Sequence, residues 1–290
     1  MNKYPYSAIL GWSSSRMDTF TLCKRKYFYT YYSKFDQEFT RERIDKLKRL
    51  TSGPLLVGEL THEIIKVILE RLQRSSEPIN FERLRRHIES MVNNAVGERV
   101  FFEAYYSGIE IEATKLIREV FSNVTAFLES DRYRWLNDIE MTDRASWIIE
   151  PEGFGETRIG ELKAYCKVDA LIPFDGKAYI FDWKTGKRDD EKHRKQLTGY
   201  AMYALKNLDY RPEQIIPIVC YLKNEFEESM LDLRIEEIEN FHHLVKEETQ
   251  ELYAFNADVE NNVPIEKSAF TQIHSGLCSY CEFKELCGRP

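Results

Sequence analysis

The sequence has no apolar run near the roughly 20 residues that a membrane-spanning helix needs. Its first residues, MNKYPYSAIL, lack the basic segment and apolar core of a secretory signal. The expectation is a cytoplasmic protein with no membrane partner. Excess positive charge is also lacking: 41 Lys and Arg stand against 48 Asp and Glu, a formal net charge of -7. That excludes a surface coated in cations for indiscriminate nucleic-acid binding. Cysteine is sparse, six in 290 residues, and in a reducing compartment these read as thiols or metal ligands, not disulfides. There is no internal repeat and no low-complexity segment. What is there is an ordinary globular chain, 43% hydrophobic, with enough apolar material for a real core.

Charge is unevenly placed along it. Residues 1–34 carry Lys3, Arg16, Lys24, Arg25, Lys26 and Lys34 against Asp18 alone. The stretch SSSRMDTFTLCKRKYFYTYY reads as one helix, opened by Ser15 with Asp18 three residues on as a variant capping box. It interleaves Arg16, Lys24, Arg25 and Lys26 with Phe20, Tyr27, Phe28, Tyr29, Tyr31 and Tyr32, a mixture suited to a single strand, with cations on phosphates and rings under bases. The competing reading is that the rings are core and the charges a solvated face.

Residues 34–57 are charged and end in Ser-Gly-Pro, so they read as a connection. From Gly58 to about residue 136 apolar residues recur at helical spacing, predicting a helical lobe. Near residue 145 the texture changes to short β-branched and aromatic runs punctuated by Gly, Pro and Asp, predicting strands. A helix over about 189–208, a buried strand IIPIVCYLK, a short strand around MLDLRI and a helix over about 236–255 follow, before a cysteine-bearing tail. The fold class is α/β, a mixed central sheet flanked by helices.

Two strands carry the chemistry. Between them lies Phe174-Asp175-Gly176-Lys177, and Asp-Gly in a two-residue loop is a strong hairpin signal because both positions can take positive φ. In that register Phe174 faces Lys177, and every directly opposed pair has the same residue-number total. Asp169 and Asp182 share that total. Two carboxylates facing each other cost stability unless a cation lies between them, and a divalent metal is the natural occupant. Lys184, two residues past Asp182, falls on the same face, while Phe181 and Trp183 point into the opposite, packed layer. Hard oxygen ligands suit Mg²⁺ or Mn²⁺, which can acidify a bound water and neutralise charge on a phosphoryl group, with lysine stabilising the transition state. An isolated Asp-x-Lys is ordinarily a polar sheet face; the opposed aspartate argues otherwise.

His62, in GELTHEIIKVILERL, shares a helical face with Ile65, Leu69 and Leu72 and so points inward. A lone inward histidine is ordinarily a hydrogen-bonded core residue. Gly58, one turn earlier, would let another chain segment approach closely. Gln196 and Tyr200 are four apart in RKQLTGYAMYAL, neighbours on one helix face, where an amide and a phenol can orient a lysine, a water or a phosphate. The tail reads Cys278-x-x-Cys281-x5-Cys287, a metal-binding turn needing one more ligand, for which Cys23 is the best candidate. Spacing alone fits a structural zinc at least as well as an iron-sulfur cluster. Cys166 and Cys220 lie within apolar strands and read as packing.

Gly58-x-x-x-His62, Lys167-Val168-Asp169, Asp182-Trp183-Lys184-Thr185-Gly186 and Gln196-x-x-x-Tyr200, in this order, resemble the RecB-like branch of the PD-(D/E)XK nucleases, including the CRISPR-associated adaptation nucleases and the AddB-type nuclease domain. The resemblance implies a restriction-endonuclease-like core at 141–265, a helical lobe at 58–140, an N-terminal region at 1–57 and a cysteine-rich segment at 266–290. It implies Mg²⁺ or Mn²⁺ held by His62, Asp169, Asp182 and the main-chain carbonyl of Trp183, with Lys184 catalytic and Gln196 and Tyr200 in the site. It further implies a 4Fe-4S cluster on Cys23, Cys278, Cys281 and Cys287, with zinc as the alternative, clipping the two chain ends together. Glu150, Glu156 and Glu161 all remain open as the family's additional acidic position. The implied activity is cleavage of DNA, single-stranded or with free ends, in repair, recombination or CRISPR adaptation, with a helicase or CRISPR integrase as the implied protein partner. The alternative class is a non-catalytic DNA-end-binding or scaffold subunit.

Overall fold

A computed structural model describes residues 4–151 and 155–288; Lys3 and part of the SWIIEPEGFG run lie outside them. The chain opens with α1 (Ser14–Leu22) and α2 (Lys24–Tyr32), then α3 (Arg41–Lys48). Six helices follow: α4 (Gly53–Leu72), α5 (Phe81–Glu98), α6 (Phe102–Ser107), α7 (Ala113–Leu128), α8 (Asp131–Asp138) and α9 (Met141–Arg144). Five strands come next: β1 (Ile148–Ile149), β2 (Glu156–Ile159), β3 (Leu162–Tyr165), β4 (Ala170–Phe174) and β5 (Lys177–Lys184). Helix α10 (Asp190–Asn207), β6 (Ile215–Tyr221), β7 (Glu227–Met230), α11 (Ile235–Tyr253), β8 (Asn256–Asp258) and β9 (Val263–Pro264) complete it, with 3-10 turns in the tail. Among the described residues no helix is long and apolar enough to cross a membrane.

These elements form two compact units, both discontinuous in sequence: residues 51–155 with 166–238, and residues 1–50 with 156–165 and 239–290. The larger holds a five-stranded mixed sheet in the order β1-β4-β5-β6-β7, in which only β5 and β6 run parallel. The predicted hairpin is present: Asp175 and Gly176 take φ of 46° and 69°, the doubly positive turn that follows the right-handed twist of its strands. Phe174 faces Lys177 and the ladder runs to Ala170 opposite Phe181. One sheet face packs on the helical lobe, where Phe181 and Trp183 are stacked and Trp183 meets Phe127 edge-on. Helix α10 covers the other face, its first turn capped by Asp189, which accepts from the Lys192 N–H.

Four corrections come from backbone that the sequence read too simply. The 34–57 connection contains α3 and the start of α4, each with its own cap: Thr40 accepts from Arg43 N–H, and Ser52 from Leu55 N–H. The segment SSSRMDTFTLCKRKYFYTYY is two helices, not one, broken at Cys23, which is extended at φ -165°. Its N-cap is Ser13, not Ser15. The expected strand around MLDLRI is also displaced, since β7 ends at Met230.

The smaller unit is built on rings. Phe20, Tyr27, Phe28, Tyr29 and Tyr32 are buried with Phe270 and Phe283, and Phe28 meets Phe270 at 5.1 Å and Tyr29 meets Phe283 at 5.4 Å between centroids. Trp12 adds a strand-like pairing to β3, its N–H donating to Lys163 O at 2.8 Å and its C=O accepting from Tyr165 N at 2.8 Å.

Candidate active site

The sheet residues of the site lie in the larger unit, at the end of the β4–β5 ladder farthest from the hairpin turn. Asp182 is buried at 1% exposure and lies on β5 between Phe181 and Trp183, which face the core. Asp169 stands one step outside β4, where the ladder has ended, and its side chain takes over the pairing: Oδ2 accepts from the Trp183 main-chain N–H at 3.0 Å. The turn register, continued one step past the ladder, sets Asp169 opposite Asp182, although Asp169 itself is in a bend and not in the strand. Lys184 closes the row, its ammonium 2.7 Å from Asp182 Oδ2. That approach is close but not aligned as a hydrogen bond, and Oδ2 has no hydrogen-bond partner. Burial, and then the charge of Asp169, push the Asp182 carboxyl up to about 6.

His62 comes from α4, with Nδ1 3.4 Å from Asp169 Oδ2. Burial alone would lower its pKa. The hydrogen bond to Asp169 and the charges of Asp169 and Asp182 outweigh burial, and the imidazole is raised above its ordinary value. Gly58 is what lets the helix come this near: a β-carbon on it would lie 3.2 Å from Thr185 Oγ1, just past the end of β5.

On α10, Gln196 accepts from the Lys184 ammonium through Oε1 at 2.9 Å and donates through Nε2 to the Tyr200 hydroxyl. An ammonium only donates, so the amide oxygen must face Lys184 and the amide N–H is left for the phenol. Tyr200 is buried and its pKa stands well above the ordinary value, through burial first and then the Asp182 and Asp169 charges. The structure thus brings together His62, Asp169, Asp182, Trp183, Lys184, Gln196 and Tyr200.

These residues fit a hard divalent cation. Two carboxylates and an imidazole meet at one end of the β4–β5 pair, and a buried carboxylate oxygen lacks a hydrogen-bond partner. As the side chains stand, Lys184 supplies the positive charge that Asp182 needs, and no group of three or more His, Cys, Asp or Glu among the described residues is arranged to hold a metal ion.

In the smaller unit Cys23, Cys278, Cys281 and Cys287 line one cavity of about 220 Å³. All four are free thiols. The tail around them is a tight turn: Ser275 N–H donates to Cys278 Sγ at 3.5 Å and Cys281 N–H to Cys278 O at 3.1 Å. Burial, then the Glu282 charge, push the Cys281 thiol up to about 11. Burial, then the Cys23 charge, raise Cys287. Cys166 and Cys220 are buried, as packing residues should be.

The basic helix pair is bound into its own unit. Arg16 donates to the Gly11 carbonyl and lies over the Tyr31 ring at 4.7 Å. Lys24 is 3.9 Å from Glu251 and stands over Phe20 at 4.6 Å. Arg25 donates to Phe270 O at 2.9 Å, and Lys26 pairs with Glu282 at 2.7 Å. The aromatic faces expected to lie under bases are in the core, except for the less buried Tyr31.

Three residues that sequence reasoning did not place also belong here. Glu150 follows β1 and its N–H donates to Asp169 O at 2.9 Å, so of the three open glutamates it is the one beside the site. It lines a cavity of about 460 Å³ with His62 and Lys66. Lys66 was legible, being four residues after His62 on one helix face, as was Lys167, two before Asp169. Nothing in the sequence reveals the pairing of β1 with β4 that brings Glu150 in.

Set beside known proteins, residues 11–288 match the family model of the PD-(D/E)XK nuclease superfamily. No curated protein matches the chain. Among solved structures, SSO0001 is 16% identical, with 76% of this chain and 96% of that chain covered at a TM-score of 0.31, too loose a likeness to argue from. The match over most of the chain means that this protein belongs to the PD-(D/E)XK nuclease superfamily, whose members are typically metal-dependent nucleases.

Proposed function

We propose that the protein is a Mg²⁺- or Mn²⁺-dependent deoxyribonuclease, an exonuclease directed at single strands or free ends, serving DNA repair, recombination or CRISPR adaptation. The observation that carries this reading is the buried Asp182 flanked by Asp169, His62 and Lys184 at one end of the β4–β5 pair. His62, Asp169, Asp182 and the Trp183 carbonyl would hold the ion. When bound, it supplies Lewis-acid charge beside a phosphodiester.

The chain's own residues do the positioning. The Trp183 N–H fixes Asp169 Oδ2, the same oxygen that lies 3.4 Å from His62 Nδ1. Gln196, itself oriented by Tyr200, holds the Lys184 ammonium where it can donate to charge building on phosphoryl oxygens. In the smaller unit, the four cysteines around one cavity would carry a 4Fe-4S cluster, or zinc, as a structural clip between residues 1–50 and the tail.

The test is anaerobic purification with iron, sulfide and zinc assays, then digestion of strands labelled at either end with Mg²⁺ or Mn²⁺. Cleavage by wild type, with Asp182→Ala inert and Lys184→Ala inert but still binding, is the expected result. Wild type and Asp182→Ala behaving alike would overturn it.

A further inference from the structure

Lys66 and Lys167 share a single carboxylate oxygen. Their ammonium groups lie 3.4 Å and 3.3 Å from Glu150 Oε2. They arrive from different directions, Lys66 from α4 one turn after His62, and Lys167 from the approach to Asp169. Glu150 takes φ 38°, a conformation that a non-glycine residue rarely adopts, and is tethered by its N–H to the Asp169 carbonyl. Three segments are thus drawn to one carboxylate, and Glu150 and Lys66 line the 460 Å³ cavity that His62 also lines.

Two cations meet one anion at Glu150, while of the other two glutamates on the cavity wall Glu59 is already paired with Arg99 and Glu63 is the remaining one. The pairing does nothing for the core. The Lys66 and Lys167 side chains are 35% and 49% exposed, and exposed ion pairs of flexible lysines are held weakly and exchange readily. Two ammonium groups converging on one oxygen is also how a phosphate oxygen is held.

We propose that Lys66 and Lys167 grip the phosphodiester backbone of a nucleic-acid strand beside the linkage to be cut, and that Glu150 is an internal stand-in for that phosphate, displaced when the strand arrives. This rests on the nuclease reading of the neighbouring carboxylates. Lys66 and Lys167 are positioning residues. Glu150 sets the threshold, because a strand must compete with it for both ammonium groups.

The experiment measures binding of a labelled single-stranded oligonucleotide by fluorescence anisotropy, in chelator and across a salt series, with cleavage assayed separately in Mg²⁺. Lys66→Gln/Lys167→Gln should weaken binding and flatten the log Kd against log salt slope by about 1.4, the loss of two single-strand phosphate contacts. Lys66→Arg/Lys167→Arg should restore both. Glu150→Gln should bind about threefold tighter or more, while Mg²⁺ still raises its thermal midpoint as in wild type. An unchanged slope in the glutamine double variant overturns the grip. Weaker binding by Glu150→Gln, or loss of its Mg²⁺ stabilisation, overturns the stand-in role, the latter by assigning Glu150 to the ion. If wild type binds with this pattern yet cuts nothing, the nuclease reading falls and the grip stands.

Discussion

The main-chain N–H of Trp183 donates to Asp169 Oδ2 at 3.0 Å, across a point where the β4–β5 ladder has already ended. A side chain does there what a backbone carbonyl does along the rest of the hairpin. The bond has two consequences: it prolongs the pairing past the end of the β4–β5 ladder and it aims one carboxylate. A residue that serves both the fold and the chemistry can be split by choosing substitutions that keep one role and lose the other.

Asp169→Asn and Asp169→Ala make that separation. Asparagine retains an oxygen to accept from Trp183 and should keep most of the metal-free stability, whereas alanine leaves the N–H unpaired and should cost about 1–3 kcal/mol. Both should lose metal-dependent cleavage by about a hundredfold or more, since each removes a charged ligand. Urea unfolding in chelator, with cleavage measured on the same preparations, checks this. Equal stability of the two variants would show that the bond does not hold the strand ends together.

Asp182 gives a pH dependence of definite sign. Its carboxyl is raised to about 6 from an ordinary 3.8, so between about pH 4 and 6 the native state keeps a proton that the unfolded chain has released. A raised group contributes stability in full below its unfolded pKa, and that contribution is lost as pH rises through the folded one. His62, raised by Asp169, acts in the same sense over its own range. In chelator, the stability of wild type relative to Asp182→Asn should therefore fall as pH rises from about 4 through about 6. A divalent ion must displace that proton, so stabilisation by Mg²⁺ should be weak near pH 5 and full near pH 7. Thermal midpoints with chelator and with Mg²⁺ across this range decide it; a pH-independent Mg²⁺ effect would remove Asp182 from the ion's ligands.

Much of this site was legible in the sequence because local chemistry dictates it. The Asp175-Gly176 turn fixes register, register pairs the two carboxylate positions, and strand alternation sends Lys184 and Trp183 to opposite faces. The cap at Asp189 and the i, i+4 pairing of Gln196 with Tyr200 are local in the same way. What stayed hidden depends on partners far along the chain. The break at Cys23 has no glycine or proline to announce it, and helical spacing runs straight through it. Lys26 and Lys24 have Glu282 and Glu251 beside them, partners more than two hundred residues away that no local pattern announces. The same rings that suggested stacking on bases make the core of their unit, because aromatic spacing on a helix reads alike in both roles.

The Lys184–Gln196–Tyr200 chain should show graded losses. Lys184→Ala removes the donor itself and should lower kcat by about a hundredfold or more while leaving strand binding intact. Gln196→Ala leaves the ammonium present but unaimed and should cost about tenfold. Tyr200→Phe affects only the amide's orientation and should cost less again. In the Lys184→Ala background Gln196→Ala should add almost nothing, because the two act as a unit. Single-turnover rates on one labelled strand give all four values, and full additivity of the double variant would break the chain as an explanation.

The four cysteines around the cavity of the smaller unit should behave differently from the two in the strands. Cys281 is pushed up to about 11 and Cys287 is also raised, so in the metal-free protein these remain neutral thiols at neutral pH and any soft metal has to displace their protons. Replacing Cys23, Cys278, Cys281 or Cys287 by Ser should then release bound iron or zinc and lower the thermal midpoint. Cys166→Ala and Cys220→Ala should keep the metal content and cost only packing, on the order of 1 kcal/mol each. Assay of wild type for iron, acid-labile sulfide and zinc separates the two cofactors, since a cluster brings iron and sulfide together and a zinc site brings neither. A Cys278→Ser protein with undiminished metal and an unchanged midpoint would show that these thiols bind nothing structural and that the aromatic core alone holds the chain ends together.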